Sequence, residues 1–148
     1  MRAAGCFAVD AVYYTGTRYD RAKAFATDTK SVVQKIPLQC VEELLDAVPE
    51  GAKVVCVELA EGALPLPEFQ HPSQAFYILG PEDGTIDQAL IDRADEVVYI
   101  PTIGCLNLAA TVNVVLYDRQ AKSLLSLDND QLIRQSRDTN NKVRVQRP

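Results

Sequence analysis

Apolar runs and amphipathic stretches alternate along the chain in an α/β rhythm. Asp10 to Thr15 reads as a buried strand closed by Gly16, Tyr19 to Ala26 as a short helix, and Val33 to Pro37 as a second extended piece. Cys40 to Val48 carries apolar residues at 41, 44, 45 and 48, the spacing of one helix face, and Pro49 and Gly51 then stop it. Lys53 to Leu59 and Ala75 to Leu79 are nearly continuous apolar runs, the pattern of central strands in a parallel sheet. Thr85 to Ala94 predicts a helix, with Thr85 as N-cap and Asp87 in the positive first turn. Glu96 to Ile100 is a further strand. Asn107 to Lys122 predicts the longest helix, apolar until Asp118 and so mostly buried against the sheet or a partner. Ser123 to Pro148 reads as an appended polar tail, with Val143 and Val145 suggesting a short strand.

The length of 148 residues suits one domain, since roughly 100–200 residues make one. Residues 1–122 form that expected domain and 123–148 its tail. With 47% hydrophobic residues, the proportions exclude low-complexity and disulfide-scaffold classes. No run approaches the ~18 apolar residues of a membrane span, and Arg2 is followed by no signal-peptide core. The four cysteines, Cys6, Cys40, Cys56 and Cys105, form no C-x-x-C pair, and His71 is the sole histidine, which leaves little material for a metal site. Reduced, mostly buried thiols in a cytoplasmic protein are the expectation.

The net charge of −5 argues against a generic nucleic-acid binder, but its distribution changes the picture. Residues 1–35 balance to +3, residues 36–100 to −11, residues 101–130 to −1 and residues 131–148 to +4. Both ends are basic, around Arg18, Arg21, Lys23, Lys30 and Lys35 and around Arg134, Arg137, Lys142, Arg144 and Arg147. A polyanion can use such ends if folding brings them together; ordinary solvated surface charge accounts for them equally well.

Two segments carry candidate chemistry. In Ile78-Leu79-Gly80-Pro81-Glu82-Asp83-Gly84-Thr85-Ile86 a strand ends, a glycine-bracketed acidic turn follows and a helix begins. Gly80 and Gly84 permit positive φ or a close backbone approach to a ligand, and ligands of open α/β sheets sit at the carboxyl ends of strands. Two carboxylates fit badly with a phosphate there, and the spacing is not that of G-x-G-x-x-G. Unaided, this is a turn for a neutral or cationic ligand, or an ordinary acidic βα turn. The second segment, Ile100 to Ala110, takes a strand through a short loop into a helix. Its backbone groups can offer a hydrogen-bonding edge to a flat heterocycle; alternatively, Asn107 simply caps the helix. If the two strands are neighbours, the loops at 80–85 and 101–106 form one pocket.

LGPEDGTI followed by VVYIPTIGCLNLAATVNVVLYDR resembles the second and third motifs of the SpoU (TrmH-like) branch of the SPOUT RNA methyltransferases, and RAAGCFAVDAVYYTG resembles the end of the first motif. The resemblance spans residues 2–122. It implies a parallel α/β sheet with a C-terminal trefoil knot, a homodimer, S-adenosyl-methionine bound in the knot, and methyl transfer to a ribose 2′-hydroxyl of tRNA or rRNA. Carried over by position, it implies that Gly80, Ile100 and Leu106 line the cofactor slot, with Glu58 or Leu59 as a further wall. It makes Arg2, Glu82 and Asn107 the catalytic group, with RNA contacts at Arg18, Arg21 and Cys105.

The sequence departs from the family pattern in two places. Cys105 stands where the motif has serine, in a loop shortened around Gly104 to Leu106, and a thiol hydrogen-bonds weakly. The chain also starts at Met1-Arg2, so the first strand and the asparagine-glycine half of the first motif are absent from it. A domain truncated at its start, poorly stable in this form, is the expectation. Besides the methyltransferase, a non-catalytic S-adenosyl-methionine- or RNA-binding remnant of the same fold and a flavodoxin-like nucleotide-binding module remain open readings.

Overall fold

The computed structural model describes residues 1–17, 36–81, 83–123, 129–137 and 139–146. In chain order these form α1 (Arg2–Cys6), β1 (Val12–Tyr14), β2 (Leu38–Cys40), β3 (Lys53–Val57), β4 (Leu64–Pro65), β5 (Ala75–Leu79), α2 (Gln88–Ile91), β6 (Glu96–Tyr99), α3 (Leu108–Lys122) and α4 (Asn129–Ser136). Short 3-10 turns cover Leu44–Ala47 and Leu66–Glu68. The expected helix at 19–26 lies outside the described residues.

Every strand pairing is parallel. β1 pairs with β2, and the larger sheet runs β4-β6-β3-β5. β3 is its centre because the run Val54–Val57 is apolar on both faces of the pleat, and all four residues are buried. Val55 and Val57 join Val98, Leu66, Phe69 and Val115 of α3 on one face. Val54 and Cys56 join Phe76, Ile78 and Ile86 on the other, with Tyr13, Leu44 and Leu45 packed against them.

Several expectations are corrected. β5 is an edge strand of the described sheet, pairing with β3 alone. Its apolar run reflects cover on both faces, not a central position. The helix expected over Cys40–Val48 shrinks to one 3-10 turn. Cys40 is taken into β2, Glu43 is extended, and Pro49 holds Val48 extended at ψ 120°. Of the second extended piece expected at Val33–Pro37, residues 33–35 lie outside the described residues, and the strand that is described runs over Leu38–Cys40. The helix expected from Thr85 starts only after Asp87, whose side chain makes no cap bond. The backbone N–H of Ile86 is instead bound by the Glu58 carboxylate, which holds 85–87 out of the helix. The tail expected as an appended polar stretch holds the helix α4, and Val143 and Val145 form no strand. The Val143 N–H bonds the Asn141 side chain, a local turn that competes with a ladder. Of the four free thiols only Cys56 is buried; Cys6, Cys40 and Cys105 are exposed.

The long helix α3 is as expected in extent, with Asn107 as its N-cap, but less buried than its composition suggests. Val115 is fully buried, whereas Leu108, Val114 and Tyr117 are exposed. Polar contacts near its C-terminal end compensate. His71, with its side chain 5% exposed, meets the Tyr77 hydroxyl through Nδ1 at 2.6 Å and Asp118 through Nε2 at 2.8 Å. Arg119 donates to the carbonyls of Pro72 and Ser73, both at 2.7 Å, and Lys122 to those of Leu66 and Phe69 and to Asp118. This network clamps α3 to the segment between β4 and β5.

Burial lowers the pKa of His71 from 6.5 by more than the Asp118 hydrogen bond raises it. Burial alone would push the Asp118 carboxyl up, but the bonds from Lys122 and His71 outweigh it and hold it low. His71 is therefore neutral when folded, and the unfolded chain takes up its proton first as pH falls. Stability should be complete above pH 6.5 and decline as pH drops through and below that value. Urea midpoints measured at about pH 7.5 and about pH 5.5 should differ in the wild type and differ less in His71→Gln.

Candidate functional site

The carboxyl ends of β3, β5 and β6 converge on one cleft of about 150 Å³. β3 has β5 on one side and β6 on the other, so the order reverses about it, where open α/β sheets accept ligands. Val57, Glu58 and Leu59 come from the end of β3, Leu79, Gly80, Pro81 and Gly84 from β5 and its turn, and Tyr99, Ile100 and Thr102 from β6 and its loop. Cys105, Leu106, Leu108 and Thr111 close it from the start of α3. The wall is mixed, with apolar side chains such as Val57, Leu79, Ile100 and Leu106 beside the polar groups of Glu58, Thr102, Thr111 and the backbone.

Glu58 organises the cleft. Its backbone N–H continues the ladder to the Val98 carbonyl at 2.9 Å. One carboxylate oxygen accepts the Leu59 N–H at 2.9 Å and the other the Ile86 N–H at 2.9 Å. One side chain thus ties the end of β3 to the turn after β5. Gly80 is required beside it: an added Cβ would stand 3.0 Å from Glu58 Oε2 and 3.4 Å from the Ile86 side chain. Neither Gly80 nor Gly84 has positive φ, so close approach is the reason for glycine at 80. Across the cleft, Thr102 donates to the Gly104 carbonyl at 2.6 Å and closes the loop after β6.

The structure brings Glu58, Leu59, Gly80, Ile100, Leu106 and Cys105 together around this cleft. Two other expected residues lie apart from its lining. Arg2 is exposed at the start of α1, which packs on α3. Asn107 accepts the Ala110 N–H at 2.8 Å and so caps α3. Glu82, Arg18 and Arg21 lie outside the described residues. Sequence reading missed Thr102, Thr111 and Tyr99, and no pattern of spacing marks them; only their places beside the two loops do. It also missed the His71 network, which joins Tyr77 six residues on to Asp118 47 residues on. Among the described residues no group of three or more His, Cys, Asp or Glu can hold a metal ion. Burial, with the Glu58 charge adding to it, pushes the Cys56 thiol up to about 11, which leaves it protonated and unreactive.

Residues 1–117 match the model of the SpoU rRNA Methylase family. Comparison of the sequence with curated proteins gives no match. Among solved structures, an AdoMet-bound rRNA methyltransferase from Sinorhizobium meliloti is 21% identical with a TM-score of 0.62, over 84% of this chain and 50% of that one. The TrmH/SpoU tRNA modifying enzyme of A. aeolicus is 17% identical with a TM-score of 0.62, over 81% and 64%. The AdoMet complex of the SpoU methyltransferase AviRb from Streptomyces viridochromogenes is 19% identical with a TM-score of 0.63, over 82% and 51%. At these identities the likeness is one of fold. The chain spans between half and two-thirds of those proteins' length.

The position of Asn107 generates a test of its role. Asn107→Ala should destabilise the protein by about 1 kcal/mol through loss of the cap, while Asn107→Asp and Asn107→Ser restore stability. Thermal melts of the three variants check the cap. If ligand binding and turnover follow the melts, Asn107 acts through the helix; if Asp and Ser restore stability but not turnover, it also touches substrate.

Proposed function

The chain belongs to the SpoU rRNA methylase family, and on that premise we propose that it forms the catalytic domain of an RNA methyltransferase. The reaction in this reading is transfer of a methyl group from S-adenosyl-methionine to a ribose 2′-hydroxyl of tRNA or rRNA. The observation that carries it is the convergence of Glu58, Leu59, Gly80, Ile100 and Leu106 on one cleft at the strand ends. The residues present fit the cofactor. Glycine at 80 lets the turn after β5 close tightly on the Glu58 carboxylate and Ile86, so the backbone itself lines the cleft, and apolar side chains beside it can take a flat base.

When bound, S-adenosyl-methionine supplies an electrophilic sulfonium methyl. The chain's residues then have to bind, orient and help a hydroxyl lose its proton. Backbone groups at Gly80, Ile100 and Leu106 hold the nucleoside part. Arg2 stays protonated and is a poor base, so its part is to hold a phosphate or hydroxyl and stabilise developing negative charge. Glu82 orients that arginine or the neighbouring turn, and Cys105 borders the substrate. A C-terminal trefoil knot, a cytoplasmic location and a homodimer belong to the same reading. The exposed Val114 and Tyr117 of α3, three residues apart on one side of the helix, provide an apolar patch for the second copy.

Commitment of Asn107 to capping and the thiol at 105 favour a second reading, a binding protein of this fold that no longer transfers methyl groups. Two measurements separate them. Calorimetric titration should show S-adenosyl-methionine binding that Gly80→Val abolishes while the protein stays folded. Labelled methyl should then pass to unmodified RNA, and Arg2→Ala should reduce that transfer while leaving cofactor affinity intact. Binding without transfer selects the second reading. No binding at all, or a monomer at micromolar concentration, counts against the first.

A further inference from the structure

We propose that Glu58 makes the cleft selective for the charge of its ligand, favouring a sulfonium over the neutral thioether that remains once the methyl has gone. The inference rests on reading the cleft as the S-adenosyl-methionine site. Among the described residues that line it, Glu58 is the sole side chain with a formal charge at neutral pH, and no lysine or arginine faces it. Its two oxygens are fixed by the Leu59 and Ile86 N–H groups, which hold the carboxylate in place without cancelling its charge. Among the described residues no lysine or arginine forms an ion pair with it. Each oxygen uses one of its acceptor directions, so capacity remains.

A fixed charge beside apolar side chains acts over several ångströms, because Val57, Leu79 and Ile100 screen it less than water does. S-adenosyl-methionine and S-adenosyl-homocysteine share every group except the methyl and the positive charge it confers. The effect therefore needs only that the sulfur lie within several ångströms of the carboxylate. Its consequence is that the spent cofactor leaves more readily than the fresh one.

The test compares the affinities of the two compounds by calorimetry for the full chain and for two variants. In the wild type S-adenosyl-methionine should bind more tightly. Glu58→Gln should weaken it about tenfold while changing S-adenosyl-homocysteine less than about twofold, and Glu58→Asp, which keeps the charge, should preserve the wild-type ratio. Should Glu58→Gln fail to fold, salt gives the same readout on the wild type. Raising ionic strength should weaken S-adenosyl-methionine more than S-adenosyl-homocysteine. An unchanged ratio in folded Glu58→Gln, or equal salt dependence of the two compounds, overturns the role of Glu58 and leaves the cofactor reading standing. Failure of the wild type to bind either compound overturns both.

Discussion

The structure depends on one strand that has to be covered on both faces. β3 carries Val54, Val55, Cys56 and Val57 in succession, so the two faces of its pleat are equally apolar. Parallel strands on either side satisfy its backbone, and α3 with the 66–69 turn cover one face while Tyr13, Leu44 and Leu45 help cover the other. No other described element has as many buried residues, and burying apolar surface stabilises by roughly 25 cal/mol per Å². The strand ends where the apolar run ends. Glu58, the first polar residue past it, is therefore delivered to the rim of the sheet with its carboxylate free to gather the turn after β5.

The second wall of the cleft is positioned differently. α3 has only Val115 fully buried, so packing alone fixes it weakly. The positioning comes from Asp118, Arg119 and Lys122, whose bonds to His71 and to the carbonyls of 66–73 are direction-specific where apolar contact is not. The first turn of the same helix supplies Leu108 and Thr111 to the cleft, about two to three helical turns away at 5.4 Å each. A rigid rod clamped at one end carries its other end into place. The exposed apolar side chains along it are then free for another surface.

What the sequence showed follows from where each signal originates. β3, β5 and β6 were legible because double-sided burial leaves an unbroken apolar run that needs no knowledge of partners. Asn107 was legible as a cap because capping is local. The 85–87 segment was misread because its conformation is set by Glu58, 28 residues earlier in the chain, and no local preference reports that bond. The 40–48 segment has a helical face by spacing, yet ladder bonds at Cys40 and Pro49 after Val48 leave it only one turn. The cleft was legible as two strand-end loops about twenty residues apart that could share a pocket, although β3 lies between their strands where neighbours were expected. Its threonines were not, since Thr102 and Thr111 differ from other threonines only by position.

Charge sets the last constraint on how such a cleft could serve a polyanionic substrate. Its lining offers a carboxylate and no base among the described residues, which suits a cationic ligand and repels phosphate. The body of the fold has few cations to spare. Lys53 is held by Asp95, Arg119 by backbone carbonyls, and Lys122 by carbonyls and Asp118. Arg2, Arg93 and the tail residues Arg134, Arg137, Lys142 and Arg144 make no such bonds among the described residues. On the proposed function, then, RNA phosphates have to be met by the chain's ends and not by its cleft. A negative pocket for the donor and a basic periphery for the acceptor keep the two charges from competing for one site.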